Sequence, residues 1–244
     1  MCILTKNHKI RSGAESSVSY MRDIYFIAFV AIILLITNGF GRSSINIVGT
    51  AEPNKITIRL RHESLSDIKV AVNGTFYSTK HGTLANLVIR DGKVLYPLPW
   101  WDTLERGCLF LFKDGRVYLG LVRTDGKDLF INKEKVDIKE VRIAIGGCAY
   151  FLRNGRIAAI KEMRKEGLSL YILHSTRFSF VAWNEKTGKI ALGVSYGASL
   201  QEVGVYLKRL GYKEAIRLDG GSATGVWKRG RRLPNTNNLL CIQY

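Results

Sequence analysis

The chain is poor in acid, in proline and in cysteine, and each shortage excludes something. Asp and Glu number 20 in 244 residues against 37 Lys and Arg, a formal net charge of +17. That imbalance suits anionic partners such as acidic glycans, a lipid surface or nucleic acid, and says nothing about fold. Only 4 prolines, and 24 glycines without a fixed period, exclude collagen, mucin-like stalks and low-complexity linkers. The four cysteines, Cys2, Cys108, Cys148 and Cys241, include no CxxC spacing, which argues against a zinc ribbon. With Cys2 ahead of the apolar segment, at most one internal disulfide fits the remainder, so the core has to hold without a disulfide framework. The sequence also lacks a GxxxxGK[ST] phosphate loop, an HExxH and a GxSxG.

What is present is a folded composition, 46% hydrophobic and 23% charged, behind an N-terminal address. Lys6, Lys9, Arg11 and Arg22 precede Ile24 to Ile36, a run of apolar and aromatic residues. Thirteen helical residues reach only about 20 Å, short of a bilayer core of about 30 Å, and extension through Phe40 reaches the lower limit. A basic flank followed by such a run reads as a secretory signal or an uncleaved signal anchor, with Thr37-Asn38-Gly39 as a passable cleavage site. The expected organisation is therefore residues 1–44 as a basic region plus signal or anchor, in contact with the membrane through 24–40, and residues 45–244 as one exported domain, membrane-anchored or secreted.

From Ile56 onward, short β-branched runs alternate with turn signals. Asp91-Gly92, Asp114-Gly115, Asp125-Gly126 and Asn154-Gly155 each separate two apolar runs, and such pairs accept the positive φ of tight hairpins. The aspartates in them are turn formers rather than catalysts. One helix stands out. Ser199 and Glu202 form an S-x-x-E capping box, Leu200, Val203, Leu207 and Leu210 make an apolar stripe, and Gly211 supplies the stop. The segments LSLYIL, FSFVAW and IALGVS before it, AIRLD after it and LLCIQ at the end read as strands. The expected class is α+β: mostly antiparallel β with hairpins and a C-terminal helix packed on the sheet.

Chemistry concentrates in a few places. In Arg217-Leu218-Asp219-Gly220-Gly221-Ser222-Ala223-Thr224 a carboxylate ends a strand, two glycines let the backbone approach a ligand and offer N–H groups, and Ser222 and Thr224 add hydroxyls. Asn73-Gly74-Thr75-Phe76-Tyr77 is a second strand end, and its first three residues match a glycosylation sequon. His174-Ser175-Thr176-Arg177 offers a proton donor and a bidentate cation. Ile145-Gly146-Gly147 marks close packing or a bulge. Pro99-Trp100-Trp101-Asp102 is either a sugar-stacking platform or core, and the basic cluster Lys228, Arg229, Arg231, Arg232 lacks the interleaved aromatics of a nucleic-acid platform.

These residues resemble a known family. NGTFY (73–77), IGG followed by an Asn-Gly hairpin (145–155), HSTR (174–177) and the helix-strand unit ASLQEVGVYLKRLGYKEAIRLDGGSAT (198–224) occur in the order seen in the phosphodiester glycosidase family. That family includes N-acetylglucosamine-1-phosphodiester α-N-acetylglucosaminidase, the uncovering enzyme, and bacterial exopolysaccharide-related proteins. The resemblance spans roughly residues 55–244 and implies an extracytoplasmic hydrolase that cleaves the glycosidic C1–O bond of a sugar-1-phosphodiester, N-acetylglucosamine-like, and releases free sugar. It implies Asp219, Arg177 and His174 as catalytic residues, and Asn73, Thr75, Tyr77, Gly220, Gly221, Ser222 and Thr224 as substrate-binding ones. The family pattern is altered at Thr75, where a second glycine is usual, at Phe178–Val181, which lacks a glycine, and in a loop one glycine shorter after Asp219. No cofactor is required by the sequence, which leaves room for a divalent cation such as calcium and names no metal ligands. A non-catalytic binding module for an anionic glycan or wall polymer is the alternative; nucleic acid is disfavoured by the export segment.

Overall fold

The computed structural model describes residues 43–76, 86–97, 104–228, 236 and 238–244. The basic N-terminal region, the apolar run at 24–40, Tyr77, the Trp100-Trp101 pair and Arg229, Arg231 and Arg232 lie outside the described residues. The chain divides into two units at Arg42/Ser43, and every described residue belongs to the second. Among the described residues no helix is long and apolar enough to cross a membrane.

Among the described residues, seventeen strands form three antiparallel sheets. A six-stranded sheet runs in the order β1 (Ser44–Ala51), β14 (Lys189–Tyr196), β13 (Arg177–Asn184), β15 (Glu214–Gly220), β11 (Tyr150–Arg153), β12 (Arg156–Ile157). A seven-stranded sheet contains β4 (Val88–Arg90) through β10 (Val141–Gly146), with β6 (Arg106–Phe112) at its centre between β10 and β7 (Val117–Thr124). A four-stranded sheet joins β16 (Val226–Lys228), β3 (Ile68–Asn73), β17 (Asn238–Gln243) and β2 (Ile56–Leu60).

All four dipeptide turns are hairpin corners. Asp91, Gly92, Asn154 and Gly155 adopt positive φ of 53°, 76°, 49° and 73°, and Gly115 and Gly126 reach 90° and 94°. At these angles a residue with a Cβ is strained, which is why Gly, Asn and Asp occupy them.

The six-stranded sheet is buried on both faces. Val181, Leu192, Ile216 and Leu218 meet Ile56, Val72 and Leu240 of the four-stranded sheet and Leu109 and Ile143 of the seven-stranded one. On the opposite face, Phe178, Phe180, Ala182 and Phe151 pack with Leu200, Val203 and Leu207 of helix α3 (Leu200–Arg209). The apolar run Phe180–Ala182 follows from that double burial, since there neither face of β13 reaches water. Each fully buried Leu or Phe contributes about 1.5–3 kcal/mol. The capping box of α3 is formed, with Ser199 Oγ accepting from Glu202 N at 3.2 Å and Glu202 Oε2 accepting from Ser199 N at 2.7 Å. Leu210, expected in the stripe, is exposed; Gly204 takes its place on the buried face, where Ile157 lies too close for a larger residue to pack freely.

One expected strand is a helix. LSLYIL forms α2 (Leu170–His174), a single short helix capped by Ser169, whose hydroxyl accepts from Ile172 N at 3.3 Å. The apparent alternation fails because only Leu168 and Leu173 are buried while Tyr171 is 87% exposed. The thiols of Cys108, Cys148 and Cys241 are free and buried, and burial pushes Cys148 and Cys241 up to about 12.

Candidate active site

Three chain segments converge where the six-stranded and four-stranded sheets adjoin. Strand β15 delivers Asp219, β3 delivers Asn73, and β13 starts at Arg177 beside them. The register between β13 and β15 pairs Phe178 with Gly220 but Phe180 with Arg217, so β15 carries one extra residue over Leu218-Asp219. Such a bulge re-aims side chains at a strand end.

Asp219 is fixed through its backbone on both sides. Its N–H donates to Gly74 O at 3.0 Å, and its carbonyl accepts from Asn73 Nδ2 at 3.0 Å. Asn73 is fully buried, and its Oδ1 accepts from Gly225 N at 3.1 Å and from the Ser179 hydroxyl. With its amide committed to three partners inside the protein, Asn73 is not a glycan acceptor, and the sequon is coincidental. Behind it, Asn238 accepts from Thr75 N at 2.8 Å and donates to Thr75 O at 3.1 Å. A Cβ on Gly74 would overlap Asn238 Oδ1, so glycine is required there by close approach.

The Asp219 carboxylate is 9% exposed and accepts from Gly220 N at 2.7 Å. Burial pushes its pKa up to about 6, against the smaller opposing pull of that N–H and of Arg217. Arg217 is the buried cation of the site, at 2% exposure. Its guanidinium lies over the Phe178 ring at 5.0 Å, donates through Nη1 to Ile172 O of α2, and has Nη2 beneath Gly220. The Nε of Arg217 and the hydroxyls of Thr75 and Thr224, all buried, have no hydrogen-bond partner among the described residues.

Asn73, Thr75, Gly220, Gly221 and Thr224 thus gather around Asp219 through contiguous backbone and hydrogen bonds. Gly221 sits at φ +64° with open space around it, and Gly221–Ala223 form a 3-10 turn that includes the exposed Ser222. Arg177 reaches the site by its backbone, whose carbonyl lies against Gly220, while its exposed guanidinium rests over Tyr196 at 5.4 Å. His174 is exposed at the end of α2, three residues earlier, and makes no hydrogen bond or ion pair with Asp219. Sequence reasoning missed Arg217, Ser179 and Asn238; the one signal for Arg217 was its place two residues before Asp219 on the same strand. Among the described residues no group of three or more His, Cys, Asp or Glu side chains is placed to hold a metal.

At the altered family positions, the side chains of Thr75, Phe178, Phe180 and Val181 are fully buried.

Comparison with known proteins bears on the family and the fold. The family model described as phosphodiester glycosidase matches residues 66–240. No curated protein matches the sequence. Among solved structures, the fold is similar to the catalytic domain of zebrafish N-acetylglucosamine-1-phosphodiester α-N-acetylglucosaminidase, auto-inhibited by its pro-peptide, with a TM-score of 0.62 at 17% identity over 83% of each chain. It is also similar to a Burkholderia pseudomallei protein described as assumed to be exported (TM-score 0.59, 9% identity, 80% of this chain and 73% of that one). A hypothetical protein from Synechocystis matches with a TM-score of 0.50 at 15% identity, over 79% of this chain and 58% of that one. These likenesses establish the fold.

Proposed function

Because the chain belongs to the phosphodiester glycosidase family, we propose that it hydrolyses the C1–O bond of a sugar-1-phosphodiester, N-acetylglucosamine-like, outside the cytoplasm. The observation that carries this reading is Asp219: a lone carboxylate held at a bulged strand end, mostly buried, with a buried arginine and a glycine turn beside it.

The leaving group decides what the site needs. An ordinary glycoside expels an alkoxide and requires two carboxylates, one of them a proton donor. A phosphodiester expels a phosphate monoester, stable as an anion, so one carboxylate and fixed positive charge suffice. Asp219, ionised above pH about 6, takes the proton from a water that attacks C1, or attacks C1 itself to form a glycosyl ester that water then hydrolyses; the C1–O bond to the phosphate breaks and its electron pair leaves on the phosphate. A carboxylate whose pKa lies just under neutrality is suited to the base role. Developing negative charge meets Arg217, the Gly221 N–H and, from the rim, Arg177, while the Gly220 N–H stays on the Asp219 carboxylate. Asn73 positions Asp219 through its carbonyl. His174, exposed at the end of α2, assists the departing oxygen. The basic flank and apolar run ahead of residue 43 support export.

The test is release of free sugar from phosphate-linked N-acetylglucosamine diesters by the full-length protein, with and without calcium, beside Asp219→Asn. Release by the parent and loss in the variant is expected. Equal rates in the two proteins would overturn the assignment of Asp219.

A further inference from the structure

The outer surface of α2, beside the site, gathers apolar side chains in water. Of the seven large apolar side chains exposed among the described residues, three lie on or against this segment: Tyr171 at 87%, Leu170 at 47%, and Leu104, which rests against Gly167. The helix beneath them is fixed. Leu173 is buried, and the Ile172 carbonyl accepts from Arg217, so Leu170 and Tyr171 are held outward on a pinned element. A cluster of exposed apolar groups of this kind marks a surface that meets a partner.

Around the apolar pair the surface is basic. Helix α1 (Ile160–Arg164) and the turn after it expose Lys161, Arg164 and Lys165, and Arg177 is exposed beyond α2. The acids nearby are engaged: Glu162 pairs with Arg156 at 2.7 Å, Glu166 is buried against Arg153 at 2.8 Å, and Glu202 accepts from Ser199 N at 2.7 Å. A Leu-Tyr tip flanked by cations is the composition of a segment that lies in a bilayer interface. There the tyrosine ring is apolar at one end and wet at the other, and the cations meet anionic headgroups.

The chain enters the domain at the same end. Ser44, Tyr196 and Arg177 form one row across β1, β14 and β13, and Phe178, one residue further in, pairs with Gly220 of β15. At about 4.8 Å between neighbouring strands, Ser44 lies about 10 Å from Arg177 and about 14 Å from the strand that carries Asp219. Ser43 packs on Gly197, where a Cβ would stand 3.1 Å from the Ser43 Cα. In sequence, Ser43 comes three residues after Phe40, the end of the apolar stretch that reads as signal or anchor.

We propose that the α1–α2 surface docks on the anionic headgroups of a bilayer and presents Asp219 to a lipid-linked sugar-1-phosphodiester, one whose phosphate carries the lipid on the side away from the sugar. The substrate class rests on the phosphodiester reading of Asp219; the docking does not. A lipid on the phosphate keeps the scissile bond at headgroup depth, level with a rim that Leu170 and Tyr171 hold there. The cations add long-range attraction to an anionic surface, which salt weakens.

The experiment uses the full-length protein carrying Cys2→Ser, in which Cys108, Cys148 and Cys241 are buried and an introduced thiol takes the label. A fluorophore is placed on Tyr171→Cys or, as control, on Lys186→Cys in the exposed turn at the opposite end of β13 and β14. Each is mixed with phosphatidylcholine vesicles, with and without phosphatidylglycerol, that hold a nitroxide quencher near the headgroups. At least twofold quenching at Tyr171 is expected on the anionic vesicles alone, with none at Lys186. Arg164→Glu with Lys165→Glu should abolish it, which a label drawn in by its own apolarity would not do. Leu170→Ser with Tyr171→Ser should lower kcat/KM at least tenfold for N-acetylglucosamine-1-phosphate esterified to a long-chain alcohol in those vesicles, and leave the soluble methyl diester at the parent rate. Absence of quenching at Tyr171 would overturn the docking and leave the surface to a partner protein. Quenching with an equal loss on both diesters would overturn the lipid-linked substrate. If the parent cleaves neither diester, the phosphodiester reading and the substrate class fall together, and the quenching still decides the docking.

Discussion

The side-chain amide of Asn73 donates to the backbone carbonyl of Asp219 at 3.0 Å, across 146 residues of sequence. It is one of two hydrogen bonds that tie the end of β3 to the bulged end of β15, the other being Asp219 N to Gly74 O. The candidate carboxylate is therefore located by a neighbouring sheet as well as by its own. Asn73→Ala strands the Ser179 hydroxyl, the Gly225 N–H and the Asp219 carbonyl in a buried setting. At about 1–3 kcal/mol for each unsatisfied group, partly relieved by relaxation, a loss of about 3 kcal/mol in unfolding free energy is expected. Hydrolysis should fall with it even where the variant remains folded, which denaturant titration and kcat/KM measured on the same preparation will check. A stable, fully active Asn73→Ala would show that Asp219 is placed without it.

Asp219→Asn should remove activity and add stability. Loss of a general base costs about 10²–10⁴-fold in kcat. The pKa of Asp219 rises from 3.8 to about 6 on folding, so between those values the folded state holds the proton more tightly than the unfolded chain. Ionisation therefore costs stability as pH rises through that window, and the cost is complete above pH about 6. By the conversion of 1.36 kcal/mol per pKa unit, the amide should be more stable than the parent by about 2–3 kcal/mol at pH 7.5, with the difference fading near pH 4. The parent's kcat/KM should decline on acidification below pH about 6. Thermal unfolding at the two pH values decides the first expectation, and a pH-rate profile the second.

How much of this was legible beforehand differs by feature. The hairpins were readable because positive φ restricts which residues can turn the chain, and Asn154-Gly155 or Asp91-Gly92 advertise it. Helix α3 was readable because Ser199, Glu202 and the Leu200/Val203/Leu207 spacing all report one geometry. Helix α2 was not: at five residues it is too short to show a helical period, and Leu168 to Leu173 mimics alternation. Asp219 and Asn73 were found through the glycines beside them. Single polar residues whose partners are distant in sequence carry no local signal, and Glu166 shows this most clearly. Its buried carboxylate joins Gly107 N, Tyr150 N and Arg153 at 2.8–3.0 Å, bracing β6 against β11, and burial pushes its pKa to about 7.

The two arginines of the site should separate in experiment. Arg217 is buried and lowers the pKa of Asp219, whereas Arg177 is exposed with its guanidinium on Tyr196. Arg217→Met leaves the buried Asp219 carboxylate without that cation and strands the Ile172 carbonyl, so stability at neutral pH should fall by about 1–3 kcal/mol. Its kcat/KM should fall about 10–100-fold, the equivalent of a charged hydrogen bond, and the acid limb of the pH profile should move upward because Asp219 loses its nearest cation. Arg177→Ala should leave that limb in place and act mainly through KM, by about tenfold or less. An unmoved acid limb in Arg217→Met would demote Arg217 to packing.

Gly220 and Gly221 are adjacent, and they should respond oppositely to a methyl group. A Cβ on Gly220 would stand 2.7 Å from the Arg177 carbonyl and 2.5 Å from Arg217 Nη2. The carbonyl belongs to the paired strand β13 and cannot swing aside, so Gly220→Ala must spread the two strands where Asp219 is held. Overpacking of this kind costs about 1–3 kcal/mol, and the shift should lower kcat at least as steeply as stability. Gly221 has nothing within 4 Å of its Cβ position but sits at φ +64°. Gly221→Ala therefore pays only the left-handed strain, about 1–2 kcal/mol, and its N–H still points where it did. It should unfold earlier than the parent yet keep kcat/KM within about tenfold, the range that about 1.4 kcal/mol of altered binding spans. The reverse ranking, with Gly221→Ala inactive and Gly220→Ala active, would mean that substrate packs on Gly221 itself and that the Gly220 N–H bond to Asp219 is dispensable.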